Sequence, residues 1–174
     1  MPSAARILVF AALAAGLAAC AGDPGGSSVQ PTFYRSLAST GAELDAAAAA
    51  SMISGYRQNN GLGTVALDPV LMRLADEQAR AMVARDKIDH NAKGDFGRRM
   101  KGSGFDAKIA VENVSAGYHT LAEAFSGWRD SPPHRANMLK SGATHMGIAA
   151  VYAPGSKYKV FWTLILAAPE QAKG

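Results

Sequence analysis

The chain has 174 residues and a formal net charge of +4, enough for one domain with a real core. Its basic residues are scattered, and no basic stripe alternates with aromatics, which argues against nucleic acid as a partner. Cys20 is the only cysteine, so an intramolecular disulfide is excluded.

The first segment, "MPSAARILVFAALAAGLAAC", sets Arg6 before an apolar stretch from Ile7 to Leu17. That is the pattern of a secretory signal, too short and wrongly flanked to span a bilayer. It ends in Leu17-Ala18-Ala19-Cys20, which resembles the bacterial lipobox, where a signal is cut before an acylated cysteine. An ordinary signal with a cysteine near its end is the alternative. A lipid-modified Cys20 also accounts for a lone thiol in an exported protein. The expected organisation is a signal peptide over 1–19, acylated Cys20 with a Gly-, Ser- and Pro-rich tether over 20–40, and a domain over 41–170. The expected location is an exported lipoprotein joined to a membrane through Cys20. Ala21 resembles the sorting signal for the outer membrane, periplasmic side, in a cell with two membranes.

Further along, Glu43 to Asn59 reads as an Ala-rich helix with Leu44, Ala48, Met52 and Tyr56 on one face, stopped by Asn60-Gly61. Asp68-Pro69 starts a second helix, with Asp as N-cap and Pro at the first helical position. Its stripe of Leu71, Leu74, Ala75, Gln78 and Met82 is interrupted by Gln78, which faces a polar cavity or sits at the stripe's edge. Residues 87–105 are irregular, with one helical turn around Phe96 to Lys101, and Ile109 to Ala116 reads as a strand. Thr120 and Glu123 form a capping box for a helix whose Leu121, Ala124, Phe125 and Trp128 share a buried face. Pro132-Pro133 ends that helix and opens a shorter one through Lys140. The last third is a hairpin: "HMGIAAVYA" and "YKVFWTLILAA" flank the turn Pro154-Gly155-Ser156-Lys157. Its second strand is apolar on both alternations, so it needs a layer on each side. The fold class expected is α+β, an α/β/α sandwich around a small antiparallel sheet.

Three residues stand out for chemistry. Glu112 alternates with Ala110 and Val114, which puts a carboxylate on an apolar face if the strand is regular; in a loop it would be wet. His90 lies in the loop "KIDHNAKG", and His134 opens the helix after the proline pair, where the helix dipole favours a neutral ring. Two histidines and a carboxylate are the minimum for an open zinc site, but no HExxH, CxxC or calcium loop ties them together. No serine lies in GxSxG or SxxK.

Taken in order, "LADEQARAMVARDKIDHN", "AVENVSAGYHTLAEAFSGWRDSPPHRANML", "HMGIAAVY" and "YKVFWTLIL" resemble a bacterial member of the CAP superfamily (SCP-like extracellular domains) over about residues 50–168. The resemblance implies an α/β/α sandwich and a cleft that two His and two Glu line in eukaryotic members. His90 matches the first histidine, and Glu112 the glutamate of the Gly-Glu-Asn element, with Val111 in place of its Gly. The second glutamate falls on Ser131. The element that holds the second histidine is replaced by Val160-Phe161-Trp162-Thr163-Leu164, and His134 is the candidate substitute.

Three functions follow. The first is a binding module whose cleft, with His90, Glu112, Asn113, Ser131, His134 and Arg135, holds zinc or another divalent cation on His90 and His134. Its ligand would be a small molecule, a lipid or a cell-wall fragment. The second is a metal-assisted hydrolase with Glu112 as general base. The third is a structural polar network of Glu112, Asn113, His134 and Arg135. The sequence ranks binding first.

Overall fold

The chain's most apolar stretch organises the rest. A computed structural model describes residues 30–170; the signal, Cys20 and residues 20–29 of the tether lie outside the described residues. The helices are α1 (Ala46–Asn59), α2 (Pro69–Arg85), α3 (Phe96–Lys101), α4 (Leu121–Asp130) and α5 (Pro132–Met138). The strands are β1 (Ala66–Leu67), β2 (Ala107–Ala116), β3 (His145–Tyr152) and β4 (Val160–Pro169), in sheet order β1-β3-β4-β2. β4 is central and pairs antiparallel with both β2 and β3. Val160, Trp162, Leu164 and Leu166 face α1, α4 and α5, while Ile165 and Ala167 face α2 and α3. Phe161 packs on Met82 of α2. The two alternations of the strand thus serve two cores, the α/β/α sandwich expected for a strand with no polar face.

Two features differ from expectation. The sheet is mixed, because the two-residue β1 runs parallel to β3 at one edge. Between them the chain passes through α2, α3, β2, α4 and α5, a crossover long enough to allow a parallel pair. The segment read as tether is also partly docked: Thr32–Tyr34 form a 3-10 turn, Leu37 is buried, and its N–H donates to the His119 carbonyl at 2.7 Å. Leu37 joins the core with Leu121 and Trp128, so the packed chain begins before residue 41.

Local signals fix the helix ends. Asp68 accepts from the N–H groups of Val70 and Leu71, and Thr120 and Glu123 close a reciprocal capping box. Trp128 meets Trp162 edge to face, with ring centroids 6.2 Å apart, locking α4 onto β4. Arg57, at the end of α1, is 1% exposed. Its guanidinium donates to the carbonyls of Gly63, Met138, Lys140 and Ala143 at 2.8–3.0 Å, and burial lowers its pKa. Those carbonyls include the last turn of α5, where a cation complements the helix dipole.

α2 crosses β3 at Gly147, where a Cβ would run into the backbone of Leu71 and Met72. Neither neighbour is a side chain that can swing aside. Gly147→Ala should therefore destabilise the fold by about 3 kcal/mol or more, read as a lower urea midpoint at an unchanged slope. A smaller loss would mean that α2 can ride outward from the sheet.

Candidate functional site

β2 is regular through its middle, so Glu112 and Asn113 point to opposite faces of the sheet. Glu112 shares the α2 side with Ala110 and Val114, and its side chain is 2% exposed. A buried carboxylate requires compensation, and it has two partners, an imidazole and a guanidinium. His90 Nδ1 lies 2.9 Å from Oε1, and Arg99 Nη2 donates to Oε2 at 2.6 Å. Because the carboxylate can only accept, Nδ1 carries the proton of the His90 bond.

Both partners are themselves held. Gln78, the residue that broke the α2 stripe, is fully buried. Its amide donates to the carbonyls of Asp89 and His90 at 2.7 and 3.1 Å and accepts from the Lys93 N–H at 3.1 Å. It clamps the loop that carries His90. Arg99 comes from α3, which Asp95 caps. Its guanidinium donates to the Gly94 and His90 carbonyls and stacks on the Phe96 ring, 5.1 Å from the centroid. Its side chain is 7% exposed, and Nη1 has no hydrogen-bond partner among the described residues.

On the other face, Asn113 Nδ2 donates to the His134 carbonyl at 3.0 Å. Asn137 Nδ2 donates to Asn113 Oδ1 at 2.9 Å and to the Glu112 carbonyl at 3.0 Å. α5 is thereby stitched to the edge of β2. The sequence-selected residues divide accordingly. His90 and Glu112 bond directly; Asn113 is joined to them through the backbone of β2; His134 contributes its carbonyl to the network. Ser131 sits between α4 and α5, its backbone N–H bonded to Gly127 and its carbonyl to Arg135. Arg135 is exposed and donates to the Arg129 carbonyl at 3.4 Å, so the arginine paired with Glu112 is Arg99. Neither Arg99 nor Asn137 was singled out from sequence. The helical turn expected around Phe96 to Lys101 contained Arg99 without distinguishing it, and the structure shows Asp95 capping that turn.

The two histidines shift in opposite directions. His90 is raised above its usual value, chiefly by its hydrogen bond to Glu112 and despite partial burial. His134 is lowered, first by burial and then by the charge of His90. A concavity of about 500 Å³ opens between α3 and the start of β2. It is walled by Phe96, Met100, Phe105, Ala107 and Ala110, with Lys101 and Asp106 at hand. It adjoins the Glu112 cluster through Phe96, the ring beneath Arg99, and Ala110, two residues before Glu112.

The donor set does not fit a divalent cation. Both Glu112 oxygens are engaged, one by a guanidinium, and Phe161, where the resemblance puts a second histidine, is buried among Met82, Val114 and Ala153. Among the described residues no three His, Cys, Asp or Glu side chains converge as a metal site.

The cysteine-rich secretory protein (CAP) family model matches residues 50–166. The chain belongs to the CAP family. The Bacillus subtilis (strain 168) protein YkwD is 30% identical over 102 residues, covering 58% of this chain and 40% of that protein, so this chain matches less than half of its relative's length. An extracellular SCP-domain protein from Bacillus anthracis str. Ames superposes with a TM-score of 0.61 at 22% identity, covering 70% of this chain and 39% of that one. An outer surface protein of Borrelia burgdorferi gives 0.65 at 17% identity, covering 72% and 93%. These likenesses establish the shared α+β fold. Among the described residues no helix is long and apolar enough to cross a membrane.

Removing one partner of a buried ion pair strands the other. Arg99→Ala should cost about 3–5 kcal/mol in denaturant unfolding. Pairing it with Glu112→Gln should recover part of that loss; additive losses would mean the two groups do not support each other.

Ring titrations by NMR should place the His90 midpoint above about 6.5 and that of His134 below it. Glu112→Gln should bring His90 back down. For His90 the folded pKa exceeds the unfolded one, so its contribution to stability is complete below about pH 6.5 and fades as pH rises through the folded value. For His134 the sign reverses: its contribution is complete above about pH 6.5 and fades as pH falls. The stability gap between the wild type and His90→Ala should therefore shrink with rising pH. A gap that widened would reverse the assigned role of Glu112.

Proposed function

We propose that this CAP domain is an exported binding module of the cell envelope, held to a membrane through acylated Cys20, with its ligand in the cleft between α3 and β2. The observation that carries the reading is the state of Glu112. His90 holds one Glu112 oxygen and Arg99 the other, and the Glu112 side chain is 2% exposed, so it is turned into the fold away from water and from any metal in the cleft. Glu112 then belongs to the frame of the cleft and not to its chemistry. Zinc has no part in this reading.

The ligand class follows from the cleft walls. Phe96, Met100, Phe105, Ala107 and Ala110 suit an apolar body, and Lys101 and Asp106 offer a charge of either sign to one polar end. Between a lipid and a cell-wall fragment, that lining favours an acyl chain. Export is supported by the Arg6-led signal and the Leu17-Ala18-Ala19-Cys20 box, and by relatives described as an extracellular protein and an outer surface protein.

One observation favours a second reading. His90 is half exposed, and its Nδ1 bond to Glu112 is how a carboxylate orients a general base. In a hydrolase built on this pair His90 would take the proton from water, with Glu112 as its orienting partner.

Calorimetric titration with zinc should show no site, whereas a fluorescent fatty acid should bind. Ala107→Trp, which fills the cleft from the start of β2, should weaken fatty-acid binding at least about tenfold, or about 1.4 kcal/mol, without lowering the melting temperature. A zinc site lost in both His90→Ala and His134→Ala would restore the metal reading. Fatty-acid binding that ignores Ala107→Trp would place the ligand elsewhere.

A further inference from the structure

The two outer helical layers of the sandwich differ in a way that the cleft does not explain. α2 carries charged pairs of the kind a water-facing helix displays, Arg73–Glu77 at 3.1 Å and Arg80–Asp76 at 2.7 Å. α1, "AAAAASMISGYRQN", has one charged residue, Arg57, and that side chain is turned into the core. Its exposed positions, Ala47, Ser51, Gln58 and Asn59, are uncharged. Beside it lies a groove of about 400 Å³ lined by Phe33, Ala48, Ser51 and Met52. At its edge Tyr34 is 53% exposed, its ring 4.6 Å from that of Phe33. Arg35 and Glu43, both exposed, flank the patch with opposite charges.

We infer that this face, Phe33, Tyr34, Ala48, Ser51 and Met52, rests on the interface of the bilayer to which Cys20 is joined. The inference builds on the acylated Cys20 of the proposed function. What selects a bilayer is where the chain enters the fold. Gln30 is ten residue steps from Cys20, so the described chain begins no more than about 36 Å from the acylated residue. It then enters the 3-10 turn that presents Phe33 and Tyr34. A tethered surface is held at high local concentration against its membrane, so a small apolar patch suffices to dock it. A tyrosine at the rim of an apolar groove is the side chain that bilayer interfaces take up, with its ring among the headgroups and its hydroxyl in water. The rim sets Arg35 against Glu43 and Asp45 and holds no basic cluster, so the contact needs no anionic lipid. α1 packs on the opposite side of the sheet from α2, so docking turns the Glu112 cluster and the cleft beside α3 away from the bilayer.

The test uses the full chain, extracted from membranes and reconstituted into phosphatidylcholine vesicles containing lipid brominated near the headgroup end of its acyl chains. Tyr34→Trp places a reporter on the patch, and Ile88→Trp places one on the α2 side, where Ile88 is also exposed. The native Trp128 and Trp162 are fully buried and supply a constant background. The expected result is a loss of emission from Trp at position 34 and none from position 88, with the loss abolished when Ser51→Glu adds a charge to the groove. Equal quenching at both positions, quenching at neither, or quenching that survives Ser51→Glu would overturn the docked face while leaving the acylation intact. Mass measurement of the same extracted protein separates the other failure. An unmodified Cys20 would remove the membrane attachment, and the docking with it.

Discussion

The structure turns on one carboxylate buried on an apolar face. Glu112 sits in the middle of an edge strand on an apolar face, and every segment around β2 is arranged to make that tolerable. α2 lends Gln78 to hold the loop that brings His90. α3 exists as a helix just long enough to deliver Arg99. α5 sends Asn137 to the Glu112 carbonyl and to Asn113 on the opposite face. A buried ion pair of this kind costs desolvation, and its value lies as much in fixing which segments meet as in net stability.

The same pairing decides what the region can do. A guanidinium at 2.6 Å supplies the positive charge that a metal would otherwise bring. The carboxylate is neutralised within the fold, and the chemistry left at the surface belongs to His90, half exposed and held toward its charged form. His134, nearby and held toward its neutral form, completes a pair with opposite pH responses. Glu112 is thus compensated inside the fold by groups from α3 and from the loop after α2.

Arg57 plays the corresponding part in the other half of the sandwich. It is buried without a carboxylate and bonded to four carbonyls, and it ties the end of α1 to the end of α5 and the approach to β3. With Trp128 against Trp162 it holds α4 and α5, and so the network of Asn113, His134 and Asn137, against the sheet.

Much of this was legible in one dimension, because the signals are local. The Asp68 and Thr120 caps, the proline pair between α4 and α5 and the doubly apolar β4 depend on neighbours within a few residues or on a strand's own alternation. The same alternation exposed Glu112 as a carboxylate out of place, and the CAP resemblance paired it with His90. Its principal partner was not legible. Arg99, in "FGRRMKG", looks like any surface arginine beside another, and it was Arg135 that the motif brought forward. Gln78 interrupts a stripe, and nothing in the sequence distinguishes Arg57 from an exposed arginine at a helix end. Which arginine is buried depends on contacts between segments 13 or more than 80 residues apart, and no periodicity encodes them. The sequence by itself determined the main helices and strands and showed that Glu112, if its strand was regular, would be a carboxylate on an apolar face in need of partners. The tertiary structure alone decided which cation, because charge compensation acts through space and a residue's type does not reveal which neighbours the folded chain will bring to it.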